Sequence, residues 1–282
     1  MQLFFLVGLT MSAFAANSVL TRIGVAQFDM DPVTFAVVRV AAGAVMLALL
    51  VVLRGGNPFA GLMSRWRGAA ALTAYMLGFS AAYLTLGAGL GALVLFGALQ
   101  IMMFGWAVWR GQDIPQLRWV GAGFAMVGLL VLLWPTQAFS VPFGGTLLMM
   151  IATLGWAVYT ILGQGERDPL AATAGNFILC LPLVALALLG GTGGPMAAGG
   201  FAAAIMAGAV TSGLGYALWY RVLPQLPTTI AAVAQLSVPV IAVAAGALIL
   251  AEPITARIVV AGGLVLGGIA TSNVKWVPKR RS

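Results

Sequence analysis

Ten hydrophobic segments, separated by short breaks rich in charges, prolines and glycines, occupy almost all of this 282-residue sequence. About 20 consecutive apolar residues are needed for a helix to cross a bilayer. Charged residues make up only 7% of the chain, against about 25% in soluble domains. A soluble fold could not cover so much apolar surface, so the sequence predicts an all-α polytopic membrane protein. The predicted spans are 2–22, 33–53, 68–87, 90–109, 119–134, 143–162, 171–190, 200–220, 228–250 and 257–274.

The second half of the chain repeats features of the first half at an offset close to 139 residues. An acidic residue with a nearby proline precedes the last span of each half, and Asp-Pro opens the second span of each half. Five spans per half is an odd number, so the halves must have opposite orientations. We therefore predict two inverted five-helix repeats, 1–138 and 139–282, an arrangement typical of transporters that bind substrate between the repeats. The matching positions are Asp113 and Glu252, Gly123 and Gly262, Gly128 and Gly267, and Asp31-Pro32 and Asp168-Pro169.

Basic residues are distributed unevenly between the two sides of the predicted membrane domain. Of the 14 lysines and arginines, 11 fall in the even-numbered connections or at the termini. The positive-inside rule then places both termini in the cytoplasm and the protein in a bacterial inner membrane. The net charge of +8 is scattered over short loops, which favours contact with lipid headgroups and excludes nucleic acid as an expected partner. The basic tail 275–281 is interpreted as a membrane-surface anchor.

Several chemistries lack the residues they need. The chain has no histidine and one cysteine, Cys180, so a metal site built on imidazole or thiolate is excluded. No phosphate-binding loop is present, and we expect neither an enzyme nor a bound cofactor. All six acidic residues fall at predicted span ends, whereas proton relays usually need a titratable group inside the bilayer. We therefore expect alternating access without a proton-carrying carboxylate in mid-membrane.

Arg39 is the one charge well inside a predicted span. An ionisable side chain in this position costs several kcal/mol unless it is paired or hydrated, which makes it a functional candidate. It is interpreted either as a carboxylate-binding or gating cation, or as a structural arginine bound to interhelical carbonyls. The balance favours the structural role slightly.

Several segments resemble the drug/metabolite transporter superfamily, and in particular its EamA-type exporters with ten spans. The segment 35–43 resembles the second helix of that family, 155–159 the sixth and 235–240 the ninth. The end of each half also resembles the family pattern of a polar or acidic turn, a proline and a Gly-rich last helix, and 252–268 is the clearer copy. The first copy departs from the pattern because Gln100 stands where the second copy has Pro239. The closest likeness is to bacterial exporters of aromatic amino acids. The resemblance implies export of small amphipathic metabolites across the inner membrane.

Aromatic and amide side chains at helical spacing are the candidate lining of a transport pathway. Tyr75, Phe79 and Tyr83 recur every four residues and share one helix face. The predicted substrate-binding residues are Asn17, Phe79, Tyr83, Gln100, Trp156, Tyr159, Gln235 and Ser237. The alternative for the amides is an interhelical bond, and for aromatic residues near span ends it is anchoring at the membrane interface. The tryptophans near loops, and Tyr216, Trp219 and Tyr220, are interpreted as such anchors.

Glycines and prolines inside the spans are the candidate elements of movement. Pro182 and Pro239 are predicted to kink their helices and act as hinges. Gly263 and Gly267 are predicted to let a neighbouring helix approach closely.

The function that these observations favour is export of amino acids, including aromatic ones, by a carrier whose functional unit is a monomer. Export of cationic drugs, amines or nucleosides is the alternative, and a non-transporting membrane protein is a further one.

Overall fold

Ten membrane helices, arranged without strands, form the part of the chain that the structure describes. The computed structural model describes residues 2–111, 114–134, 141–163, 166–190, 197–222, 225, 234–235 and 237–273. The helices are α1 (Gln2–Arg22), α2 (Pro32–Leu53), α3 (Trp66–Ala82), α4 (Ala88–Trp109), α5 (Gln116–Leu133), α6 (Phe143–Gly163), α7 (Pro169–Leu186), α8 (198–222), α9 (Ser237–Leu250) and α10 (Ala256–Asn273). Among the described residues, seven helical segments are long and apolar enough to cross a membrane, α9 and α10 are shorter apolar helices, and α3 has 17 residues.

The helices pack in pairs that relate one half of the chain to the other. Helix α3 packs along α6, and α8 packs along α1 in the corresponding way. The pairs α2–α7, α4–α9 and α5–α10 each join equivalent helices of the two halves. This pattern is the one expected for two five-helix repeats of opposite orientation related by a two-fold axis.

The Asp-Pro pairs begin α2 and α7 as the sequence predicts. The Asp31 carboxylate accepts a hydrogen bond from the Thr34 backbone N–H at 2.8 Å, and Asp168 accepts one from the Ala171 N–H at 3.1 Å. Pro32 and Pro169 occupy the first turn, where the missing N–H breaks no helical bond. Local chemistry therefore fixes where the second helix of each half starts.

Helix α3 ends earlier than its apolar run. The sequence predicts a span to residue 87, but the helix ends at Ala82 and residues 83–87 form a turn. Arg22 at the end of α1 donates to the carbonyl oxygens of Tyr83 at 2.7 Å and Leu84 at 2.9 Å. These two carbonyls are bound by a neighbouring helix, a tertiary contact that the local sequence does not encode.

The close helix approach predicted at Gly263 and Gly267 is wrong in position. Both glycines are exposed, and a Cβ on either would meet nothing within 4 Å. The adjacent Gly268 instead packs on α5, where a Cβ would lie 2.7 Å from the Ala125 backbone nitrogen. A shift of one residue turns a helical side chain by about 100°, so apolar composition alone did not identify the packed face.

Helix α8 contains a wide turn in its middle. It consists of Ala198–Ile205, a π-helical segment Met206–Leu214, and Gly215–Val222. Segments of π-helix are rare and occur often at functional sites. This one carries Thr211 and Ser212, which face the centre of the molecule and are buried.

Candidate substrate site

Arg39 lies at the centre of the molecule with no exposed surface. It is seven residues past Pro32, which puts it about 10 Å along α2, and its relative exposure is 0%. Its Nε and Nη2 donate to the Ser212 hydroxyl at 3.3 and 3.2 Å, and Nη2 also reaches the Tyr75 hydroxyl at 3.5 Å. Within the described residues, Nη1 has no hydrogen-bond partner. The guanidinium is therefore hydrogen-bonded through Nε and Nη2, but not through Nη1, within the described part of the chain.

A chain of polar side chains extends from Arg39 to α1. Ser212 accepts from Arg39 and donates its own proton to the Asn17 side-chain oxygen at 3.4 Å. Thr211, next to it on the π-helical segment, has the same Asn17 oxygen as a hydrogen-bond partner. Asn17, predicted as a substrate ligand, thus uses its carbonyl oxygen to join α1 to α8. Whether it also contacts substrate stays a prediction.

Five aromatic rings form what we term the central aromatic cluster, defined as Tyr75, Phe79, Trp156, Tyr159 and Tyr216. The Trp156 ring centroid lies 5.0 Å from Tyr75, 5.5 Å from Tyr159 and 5.7 Å from Tyr216. Tyr75 and Phe79 are 5.1 Å apart. The cluster joins α3 of the first half to α6 and α8 of the second half, and it adjoins Arg39.

Arg39 contacts two rings of this cluster. Its guanidinium carbon lies 5.6 Å from the Tyr75 ring centroid and 5.1 Å from that of Phe79. Both distances are within the range of cation–π attraction. The site therefore combines one cation with an aromatic wall, at the depth where inverted-repeat carriers bind substrate.

Tyr216 was interpreted from the sequence as an interface anchor, and that interpretation is wrong. Its relative exposure is 5%, and its ring stacks on Trp156 with an interplanar angle of 20°. Trp219, on the same helix, is half-buried and meets Phe14 at 6.1 Å. The π-helical segment changes the angular position of every residue after it, so α-helical spacing could not place Tyr216 on the inner face. The side chain of Tyr220 lies outside the described residues.

Other tryptophans lie where the sequence predicted interface anchors. Four tryptophans near the loops are more than half exposed, which fits contact with lipid or the membrane interface. They are Trp66, Trp109, Trp119 and Trp134; Trp276, given the same interpretation, lies outside the described residues.

The remaining predicted site residues are placed less centrally. Tyr83 is fully buried at the end of α3, with its ring 4.8 Å from Phe79. Gln100 and Gln235 are half-buried on or near α4 and α9. Ser237 donates to the carbonyl of residue 234 at 2.6 Å, a local bond. Their contact with substrate stays a prediction.

The predicted hinges occupy different environments. Pro182 lies inside α7 on its exposed side, four residues before the helix ends. Pro239 is buried in α9, and residues 234 and 235 before it are also helical. Both hinge assignments stay predictions.

One end of the molecule is joined by a group that we term the Glu252 latch, defined as Arg22, Glu252, Ala88 and Gly89. The Glu252 carboxylate accepts from the backbone N–H groups of Ala88 at 2.8 Å and Gly89 at 3.4 Å, at the start of α4. Its Oε1 lies 3.7 Å from Arg22 Nε. A residue of the second half thus caps a helix of the first half, and α4 meets α9 beside it, where Gly89 packs on Val243.

Two ion pairs join the halves at the opposite end. Arg54 pairs with Asp168, and Arg65 Nη1 lies 3.2 Å from Glu166 Oε1. The hydrogen bond from Arg54 lowers the pKa of the Asp168 carboxyl, and the backbone N–H at the start of α7 acts in the same direction. Every ion pair among the described residues therefore connects the first half of the chain to the second half.

Comparisons with known proteins agree with this architecture. The sequence profile of the EamA-like transporter family matches residues 143–274, which contain α6 to α10. An uncharacterized protein of Pseudomonas aeruginosa is 46% identical over 263 residues, covering 93% of this chain and 91% of that protein. The chain belongs to the EamA-like transporter family. It is thus a multi-pass membrane protein of a family of transporters rather than enzymes.

More distant similarities extend over nearly the same length of this EamA-like chain. An uncharacterized transporter of Archaeoglobus fulgidus is 25% identical over 254 residues, covering 85% of this chain and 88% of its own. A solved crystal structure superposes with a TM-score of 0.69 at 17% identity and covers 94% of each chain. At that identity the structural likeness shows the fold alone, and it supports the ten-helix architecture.

Proposed function

We propose that this EamA-like transporter is an inner-membrane carrier that exports small amphipathic metabolites with an aromatic ring, with aromatic amino acids the first class to test. The central aromatic cluster is the observation that carries the proposal. It contains rings from both halves of the chain, and Trp156 is only half-buried. Aromatic faces at this separation accept another ring by offset or edge-to-face stacking.

Alternating access is supported by the distribution of the ion pairs. The Glu252 latch joins the halves at one end, and the pairs of Arg54 and Arg65 join them at the other end. The aromatic cluster lies between these two groups of contacts. A carrier that opens each end in turn needs separable contacts at both ends of a central site. With both termini cytoplasmic, as the basic residues predict, the Glu252 end faces outward.

A flux assay with a matched pair of variants tests the proposal. Purified protein in proteoliposomes is assayed for counterflow of labelled phenylalanine and tryptophan, with valine as a non-aromatic control. We expect saturable flux of the aromatic solutes. Trp156→Ala should lower kcat/KM by roughly tenfold or more, because loss of one ring contact with its burial removes about 1.4 kcal/mol or more.

The control variant is Trp109→Ala, which removes an indole that is 74% exposed on α4. It should leave flux unchanged. Flux that does not distinguish aromatic from aliphatic solutes, or equal flux in Trp156→Ala and the parent, would contradict the proposed role of the cluster. Preferential flux of aromatic amines or nucleosides would instead favour the alternative substrate classes.

A further inference from the structure

Arg39 is a buried charge without a counter-charge among the described residues. The described acidic side chains lie at helix ends and in loops, and most have another partner there. Glu252 accepts from the Ala88 backbone N–H and pairs with Arg22. Asp168 and Glu166 pair with Arg54 and Arg65, Asp31 caps α2, and Asp29 is exposed. None of these carboxylates forms an ion pair with Arg39.

The neutral partners of Arg39 satisfy only part of its hydrogen-bonding capacity. A guanidinium carries five N–H donors in a planar fork. Two hydroxyl groups accept from Nε and Nη2 at 3.2 to 3.5 Å, while Nη1 is buried and has no partner among the residues that the structure describes. Burial of a cation without an anion costs several kcal/mol, and two aromatic faces return only part of that cost. An anion on the Nη1 side would complete the site.

We infer that Arg39 is the receptor for a carboxylate group of the transported solute, so that the substrate class is aromatic or amphipathic carboxylates. The inference rests on the proposed function, since it uses the same site. Arginine binds carboxylates through two parallel N–H···O bonds, which neutralise both charges and fix the orientation of the bound molecule. Nη1, which has no hydrogen-bond partner among the described residues, would donate one of these bonds, and Nη2 would donate the other in place of its long contact with the Tyr75 hydroxyl at 3.5 Å.

The arrangement of the rings sets the shape of the ligand. Tyr75 contacts both Arg39 and Trp156, since its hydroxyl lies within hydrogen-bonding distance of Arg39 and its ring lies against the Trp156 ring. A solute whose carboxylate binds Arg39 therefore lies next to an aromatic surface, which extends along the Tyr75 ring to Trp156. Amino acids with an aromatic side chain and arylalkanoic acids have this geometry, with a short spacer between carboxylate and ring.

The same charge disfavours cationic solutes. Arg39 already occupies the faces of Tyr75 and Phe79 that would attract a ligand cation. An amine brought to these rings would meet a like charge in a medium of low dielectric constant, where repulsion is strong. The structure thus favours carboxylates over the cationic drugs and amines that aromatic walls alone would admit.

Entry of the solute requires movement of α8 relative to α2. Arg39 has no exposed surface in this conformation, and Gly208 of the π-helical segment packs directly on the Arg39 backbone carbonyl. A shift of this segment would move Ser212, which contacts the guanidinium, relative to Arg39. Carboxylate binding is thereby linked to the relative position of helices from the two halves, as a carrier requires.

A ligand series on the wild-type protein tests the inference without any variant. Purified protein is titrated with 3-phenylpropionate (carboxylate only), phenylalanine (carboxylate and amine), phenylalaninamide and phenethylamine, with binding followed by tryptophan fluorescence. We expect phenylalanine and 3-phenylpropionate to bind at least about tenfold more tightly than the two compounds without a carboxylate, which corresponds to about 1.4 kcal/mol. Equal affinity across the four compounds, or preference for phenethylamine, overturns the inference.

Variants then assign the effect to one side chain. Arg39→Gln should remove the preference for carboxylates while retaining the weak affinity for phenylalaninamide, and Arg39→Lys should restore part of it, because lysine keeps the charge without the fork. The control is Arg67→Gln, which removes an exposed arginine at the start of α3 and should leave all four affinities unchanged.

The outcomes separate this inference from the proposed function. If aromatic solutes bind and Trp156→Ala weakens them, but Arg39→Gln retains the carboxylate preference, the carrier proposal stands and Arg39 is a structural residue. If none of the four compounds binds to well-folded protein, the proposed function fails with the inference. If Arg39→Gln does not fold, the wild-type ligand series together with Arg39→Lys still decides the question.

Discussion

Under the proposed alternating-access mechanism, replacement of Glu252 by glutamine should favour opening of the end of the molecule that carries the Glu252 latch, which faces outward in the proposed orientation. The carboxylate of Glu252 joins the last connection of the second half to the start of α4 in the first half. Glutamine has the same shape and keeps one oxygen that can accept from the Ala88 N–H. The substitution therefore removes the charge, while the space that the side chain fills is unchanged.

The expected magnitude follows from the contacts that depend on this charge. A carboxylate at a helix N-terminus stabilises the helix by about 0.3–1 kcal/mol. The ion pair with Arg22 at 3.7 Å adds at most about 1 kcal/mol, because both side chains are partly exposed. The hydrogen bond to the Ala88 N–H at 2.8 Å becomes a neutral one and loses about half of its strength. Together these terms give about 1–2 kcal/mol, or roughly a 5–30-fold shift towards the state that is open at this end.

A reporter cysteine between α4 and α9 measures this shift. Ala92 lies one turn after Ala88 on the same face of α4, is 1% exposed, and packs with Val238 and Ala242 of α9. Ala92→Cys is introduced into a chain carrying Cys180→Ala, which removes the one native cysteine. Intact cells are treated with a membrane-impermeant thiol reagent, and the labelling rate reports how often α4 and α9 separate on the outer side.

Glu252→Gln should raise the labelling rate by a factor within that range. The matched control is Glu166→Gln, which removes a carboxylate of the ion pair with Arg65 at the opposite end and should not raise labelling from outside. An unchanged rate in folded Glu252→Gln protein would refute the assignment of the latch. Equal increases from both variants would show general loosening of the fold rather than opening of one end.

Two further perturbations test packing and titration. Gly268→Ala should destabilise the protein by about 1–3 kcal/mol because its Cβ meets the Ala125 backbone of α5. Gly263→Ala should be neutral or stabilising, because its Cβ would have nothing within 4 Å. Thermal unfolding in detergent measures both variants, and equal stability of the two would contradict the packing. The hydrogen bond from Arg54 favours the charged form of Asp168 and so lowers the pKa of this carboxyl in the folded state. The stability that Asp168 contributes is therefore fully present above the pKa of an unfolded aspartate, about 3.9, and is lost as pH falls through the lower folded pKa. Thermal unfolding below about pH 4 should therefore depend less on pH in Asp168→Asn than in the parent, and parallel profiles would contradict this.

Features that depend on local sequence could be predicted in detail. The Asp-Pro pairs at 31–32 and 168–169 act through hydrogen bonds to residues three positions away, so the chain itself specifies the starts of α2 and α7. The ring contact between Tyr75 and Phe79 follows in the same way from four-residue spacing on one helix. These predictions are confirmed because each needs only one element of secondary structure.

The composition of the central site was predictable only in part. Trp156 and Tyr159 were predicted to bind substrate and lie in the central aromatic cluster, and their contact with substrate stays a prediction. Tyr216 and Ser212 also lie at the centre, and neither was predicted to do so. Both belong to or follow the π-helical segment of α8, whose wider turn changes which residues face inward. Glycines at 208 and 213 in that segment were a signal of close packing, but they do not encode the angle of the turn.

The sequence by itself determined that this chain is a ten-span membrane protein with two repeats, because apolar length and capping are properties of single segments. It also determined that one cation, Arg39, lies within the membrane span. Only the tertiary structure decided the environment of that cation. The absence of a described counter-charge, the free Nη1 and the neighbouring rings arise from side chains of α2, α3, α6 and α8 meeting at one point. Such contacts depend on helix rotation and packing, and no linear pattern in the sequence specifies either.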